Sequence, residues 1–220
     1  AGHPTHACDQ RRRVPPAVEA QGRVVLALAR AMTGRVEGML EGLAPADSLA
    51  EGLAGELPAL PTQVGIARVL ALQSLLRHEE ARVLTERMLD VVSGPDLGPW
   101  LTIDVPGLVL RGELDTATTR LRQSADILVH ADVVGLQAVN LAAMAMVHAI
   151  RGRDPATLVA RVRGMPGGDE PRAAVWADAA DVWWAIRRGD ADRAARLALR
   201  DGRTTVDHDH VVWGALVLHL

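Results

Sequence analysis

One kind of turn recurs along this chain, and it limits the folds open to it more than any other feature. The turns read Ala31-Met-Thr-Gly-Arg-Val-Glu37, Leu75-Leu-Arg-His-Glu-Glu-Ala81, Val109-Leu-Arg-Gly-Glu-Leu-Asp-Thr-Ala117, Ala149-Ile-Arg-Gly-Arg-Asp-Pro-Ala156 and Ile186-Arg-Arg-Gly-Asp-Ala-Asp-Arg-Ala194. Aligned on Gly34, His78, Gly112, Gly152 and Gly189, they lie 44, 34, 40 and 37 residues apart, which is the spacing of helical hairpins. Gly just past a helix end takes the left-handed backbone that penalises a Cβ, and Arg before it complements the carbonyl end of the helix dipole. Asp154-Pro155 then restarts a helix, Asp by capping free N–H groups and Pro by its fixed φ; Asp115 and Asp190 are the equivalent candidates in neighbouring units.

The flanks of these turns carry helical periodicity. Ala81, Leu84, Met88 and Val91 form one stripe, Ala117, Leu121, Ala125 and Leu128 a second, and Leu136, Val139, Ala143, Val147 and Ile150 a third. With five Trp, no Phe and no Tyr, the core is built of Ala, Leu and Val, which favours close helix packing over sheet. Helices are predicted over 16–33, 35–43, 46–56, 62–77, 79–92, 98–111, 114–130, 134–151, 155–163, 171–188, 191–200 and 205–220, with a kink at Pro106-Gly107 and a break around Pro58 and Pro61. The loop Met165 to Pro171 reads as a surface loop, with a hinge as the alternative. Each hairpin leaves apolar surface for its neighbour to cover, so the expected fold is all-α: antiparallel hairpins stacked as a tetratricopeptide-like α-solenoid over 14–220, after a flexible flank over 1–13.

Charge removes several classes of chemistry. All 24 basic residues are Arg and face 27 acids, so there is no overall basic field for nucleic acid, and without Lys neither a phosphate-binding loop ending in Lys nor a Schiff base can form within these residues. Cys8 is alone, which fits a reducing, cytoplasmic setting. The opening residues lack the apolar stretch of an export signal, and Arg30, His148 and Arg151 interrupt the best candidates for a membrane span. The run Val211-Val-Trp-Gly-Ala-Leu-Val-Leu-His-Leu220 ends with no capping Gly or polar face, so the chain is expected to be a segment of a longer protein.

From Leu75 to Arg200, the phrases Leu-Arg-Gly-Glu-Leu-Asp-x-Ala and Ile-Arg-Gly-Arg-Asp-Pro, set among Ala-rich helices, resemble the tetratricopeptide-like repeats of large LuxR-type, ATP-binding transcriptional regulators of actinobacteria. The likeness extends weakly to residue 14, and the array is similar to the inducer-sensing part of maltose-type regulators. The resemblance implies a non-catalytic region that senses an effector or binds a protein partner, with the ATPase and helix-turn-helix modules elsewhere in the full chain. It implies no cofactor, membrane contact or direct nucleic-acid binding for this segment. The chain departs from the repeat pattern where aliphatic residues or Ala replace the usual Tyr and Phe. A stand-alone tetratricopeptide-like scaffold is the alternative.

Four residues are candidates for ligand or partner binding. Trp176 and Trp183 share a stripe two turns apart, and Asn140 and His148 are polar residues on an otherwise apolar helix, eight apart on roughly one face. For both pairs a place in the core is the preferred reading; the alternative is a ligand or partner anchor for the tryptophans and the lining of a concave groove for Asn140 and His148. The metal-ligand candidates His3, His6 and Cys8 read as a disordered end or a by-product of where the segment begins, and the pair His208 and His210, the carboxylates Asp178 and Asp181 and the triplet Arg11 to Arg13 as solvated surface. Ser48, Ser93 and Ser124 lack a nucleophile elbow, and no enzyme is expected.

Overall fold

A computed structural model describes residues 14–32, 38–132 and 135–207; the first turn at Gly34 lies outside them. The regular structure of the described residues is helical throughout, with no strand among them. The helices are α1 (Pro16–Met32), α2 (Met39–Leu53), α3 (Leu60–Ser74), α4 (His78–Leu89), α5 (Leu97–Ile103), α6 (Val105–Leu110), α7 (Leu114–Leu128), α8 (Gln137–Ile150), α9 (Ala156–Arg163), α10 (Pro171–Arg187) and α11 (Ala191–Asp207), with a 3-10 turn (Gly94–Asp96) leading into α5.

Four turns share one geometry. Leu76, Gly112, Gly152 and Gly189 have φ of 58°, 75°, 72° and 75°, and they stand 36, 40 and 37 residues apart. At each, the amide of the left-handed residue donates to the carbonyl three back (Gln73, Val109, Ala149, Ile186), and the following amide donates to the carbonyl five back (Leu72, Leu108, His148, Ala185). These paired bonds satisfy the last carbonyls of α3, α6, α8 and α10 and turn the chain into α4, α7, α9 and α11. In the turn aligned at His78, the left-handed residue is Leu76, and His78 opens α4. Asp154 and Asp190 accept backbone N–H bonds from Ala156 (2.9 Å) and Arg193 (3.0 Å), whereas Asp115 lies within α7 and pairs with Arg151.

Three boundaries differ from the sequence reading. The helices expected over 35–43 and 46–56 join as α2, which runs through Pro45 because Met39, Leu43, Ala46 and Ala50 form one buried stripe across the missing N–H bond. The kink expected at Pro106-Gly107 is a break between α5 and α6 at Asp104, a buried carboxylate paired with Arg120 of α7. The loop expected between 200 and 205 is helical, since α11 continues to Asp207.

Packing follows chain order. At three places a helix rests on both members of the preceding hairpin, α3 on α1 and α2, α5 on α3 and α4, and α10 on α8 and α9, whereas α8 rests on α7 with little contact to α6. Small residues allow close approach. A Cβ on Gly65 of α3 would stand 2.7 Å from the Trp100 ring, so Gly at 65 is what lets this fully buried indole of α5 approach α3 so closely. On the widest contact, Ala142, Ala145, Ala149, Ala173, Ala177 and Ala180 bring α8 and α10 together. None of the helices in the described residues is long and apolar enough to cross a membrane.

Candidate functional site

The four candidate residues stand on the two helices that pack most extensively, α8 and α10, but they do not converge. Asn140 is completely buried, and its Nδ2 donates to Thr102 Oγ1 of α5 at 3.1 Å. Thr102 Oγ1 lies 2.7 Å from Ser124 Oγ of α7, and Ser124 donates to the Gly98 carbonyl at 2.8 Å. This knot ties α5, α7 and α8 together in the interior, where each made bond avoids the cost of an unpaired polar group. Asn140 Oδ1 is left without a hydrogen-bond partner among the described residues. Sequence spacing could not reveal the knot, because Thr102 and Ser124 read as ordinary helix residues until the helices meet.

His148 sits two turns further along α8, and eight residues of helix rotate it by roughly 80° from Asn140, so the two face different surroundings. It is half-buried in a cationic setting. Burial, with Arg153, Arg122 and Arg151 nearby, holds its imidazole below the usual value and favours the neutral form at physiological pH. Trp176 is buried in the α8–α10 core, while Trp183 packs against that core and keeps some surface. The Arg188 guanidinium lies 5.7 Å from the centre of the neighbouring Trp184 ring, within cation–π range.

The carboxylates Asp178 and Asp181 do share a face, and Arg163 of α9 spans them, its guanidinium at 3.0 and 2.9 Å. Burial pushes the Asp178 carboxyl above the ordinary range and Asp201 adds to this, with Arg163 opposing. A cation bound between them makes the pair a clamp of α9 onto α10, a role invisible in a sequence where Arg163 lies 15 residues away.

An open apolar groove of about 460 Å³ lies between α10 and α11, lined by Val182 and Ile186 on one side and Ala191, Ala194, Ala195, Ala198 and Leu199 on the other. Leu199 is 51% exposed there. Val182 and Ile186 are four apart, a spacing that signals one apolar face, but only the hairpin geometry sets them against α11.

His3, His6, Cys8, the Arg11 to Arg13 triplet, His208 and His210 lie outside the described residues. Among the described residues, no group of three or more His, Cys, Asp or Glu is placed to hold a metal ion. Compared with family models, curated proteins and solved structures, the chain gives no significant match.

Proposed function

We propose that the chain is a tetratricopeptide-like α-solenoid that serves as the effector-sensing or protein-interaction region of a LuxR-type transcriptional regulator in the cytoplasm, without catalysis of its own. The observation that supports this reading is the turn that recurs at Leu76, Gly112, Gly152 and Gly189 with one bonding pattern, each time closing a hairpin on which the chain builds onward. Hairpins stacked in this way contact near neighbours, so binding at one hairpin can alter how the array holds modules at its ends.

Of the candidate residues, His148 and Trp183 retain surface and are the ones to meet a partner; Asn140 and Trp176 act by fixing helix packing. The arginines around His148 favour an anionic group on that partner. The test is to sequence the coding DNA on both sides of the segment. An in-frame Gly-rich loop ending in Lys-Ser/Thr upstream and a helix-turn-helix downstream are expected; a start codon directly before Ala1 and a stop directly after Leu220 would overturn the regulator reading in favour of a stand-alone scaffold.

A further inference from the structure

We propose that the turn between α8 and α9, with the arginines that α7 and α10 bring to it, is a binding site for a phosphoryl group carried by a small molecule. This names the class of effector for the sensing role proposed above and rests on that reading.

The turn departs from its sisters in charge. Glu113 and Asp190 follow the left-handed Gly112 and Gly189, whereas Arg153 follows Gly152. At the first of these turns the acid neutralises the arginine beside it, since Arg111 Nε donates to Glu113 Oε1 at 2.5 Å. With Arg at 153 that partner is gone, and Arg151 reaches instead to Asp115 at the start of α7. The carbonyl end of α8 favours one cation in its last turn, but it does not call for a second just past the turn or for cations from other helices.

Two further arginines close on the same place. Arg122 of α7 joins Arg151 and Arg153 as the charges that act on the half-buried His148 imidazole. From the end of α10, the Arg187 guanidinium lies against the open backbone of Gly152, where a Cβ would stand 3.2 Å from Nη2 and 3.5 Å from Nε. Gly152 therefore serves both the turn and the approach of Arg187. Among the described residues, no carboxylate pairs with Arg122, Arg153 or Arg187. Asp126, one turn beyond Arg122 on α7, forms no ion pair among them, and Asp154 bonds the Ala156 amide. A patch of arginines facing one carboxylate thus stands on a chain whose formal net charge is −3. Like charges held this close repel one another, and a bound anion relieves the repulsion.

Geometry selects the anion. A carboxylate is satisfied by one guanidinium fork, whereas a phosphoryl dianion presents three oxygens and accepts from forks on several sides. Here the forks come from α7, from the turn and from α10. Asp115 marks where one anionic oxygen sits, on Arg151; with its side chain 92% exposed, it holds that place weakly and yields to a dianion. Arg122 and Arg153 are exposed, so the patch is open to solvent. It is confined to one turn and the helices beside it, which suits a single phosphoryl group on a small molecule.

The experiment is titration of the full chain with inorganic phosphate at constant ionic strength, followed by the NMR signals of the arginine side chains, with acetate as the control anion. Phosphate is expected to shift Arg122, Arg151 and Arg153 with a dissociation constant on the order of millimolar, and acetate to leave them in place. Arg122→Gln is expected to weaken phosphate binding about tenfold and Asp115→Asn to strengthen it about threefold. Arg153→Glu, which installs the charge of the sister turns, abolishes binding, while Arg196→Gln on an exposed position of α11 leaves it unchanged. No response to phosphate, an equal response to acetate, or equal losses in Arg122→Gln and Arg196→Gln would overturn the site. Glycerol 3-phosphate and a phosphoserine peptide are then compared. Tighter binding of glycerol 3-phosphate is expected; tighter binding of the peptide would overturn the small-molecule assignment in favour of a phosphorylated protein. The regulator reading is tested separately by the flanking coding sequence, so failure of the site and failure of that reading are told apart.

Discussion

The helices α8 and α4 are of similar length yet are buried in opposite ways. Ten of the fourteen residues of α8 are buried, from Ala138 to Ala149 and including Asn140, whereas α4 buries only Ala81 and Thr85 of its twelve. On α4, Arg82 is held between Glu79 and Glu86, and Arg77 pairs with Glu80, so its outer face is a lattice of exposed ion pairs. The difference follows from position. An inner helix is enclosed by the hairpin before it and the hairpin after it; an outer helix needs one apolar stripe and leaves the rest to water. Val91, part of the stripe expected for α4, marks that edge: it lies past the end of the helix at Leu89 and is 70% exposed.

The comparison breaks hardest at an inner contact. Trp100→Ala removes the fully buried indole resting on Gly65, and is expected to cost about 3–5 kcal/mol in denaturant unfolding. Next in size, Ala142→Leu or Ala180→Leu forces a larger side chain into the α8–α10 contact at a cost of about 1–3 kcal/mol, while Ala160→Leu on the exposed side of α9 stays within about 0.5 kcal/mol. Equal costs at inner and outer positions would remove the distinction.

The turns test a second contrast. Gly112→Ala puts a Cβ on a left-handed residue and is expected to cost about 1 kcal/mol; Leu76→Gly relieves that same penalty and is expected to gain about 0.5 kcal/mol after the entropy of the added glycine. Thermal or urea unfolding measures both, and the opposite signs show that the four turns need one conformation. The smallest expected effect belongs to the outer lattice, where Arg82→Ala leaves the urea midpoint essentially where it is, because exposed pairs trade Coulomb energy for side-chain entropy.

A pH profile isolates His148. With its folded pKa held below the ordinary 6.5, the unfolded chain takes up a proton here more readily than the native one. Its contribution to stability is therefore complete above pH 6.5 and is lost as pH falls from there toward the depressed folded value. His148→Gln is expected to flatten the profile over that window, measured by urea titrations at a series of pH values.

Local rules reached part of this molecule. The turns at Gly112, Gly152 and Gly189 were legible because a left-handed residue after a helix favours glycine, and the same rule misplaced the turn at Leu76, where the sequence spends a non-glycine residue in that conformation. Pro45 reads as a breaker, yet tertiary burial on either side of it carries α2 through. The polar residue Asn140 was visible on its apolar helix, but its partners Thr102 and Ser124 come from α5 and α7, and the Arg163 clamp on Asp178 and Asp181 from α9. Such groups are joined by packing between helices, which a pattern within one helix does not encode.

The central claim is that hairpins add in series, each stabilised by its neighbours, and native-state hydrogen exchange on Gly189→Ala tests it most directly. The account predicts faster exchange confined to α8, α10 and α11, with α1 to α3 at wild-type rates. A uniform acceleration from α1 to α11 would contradict it and show one closed cooperative core.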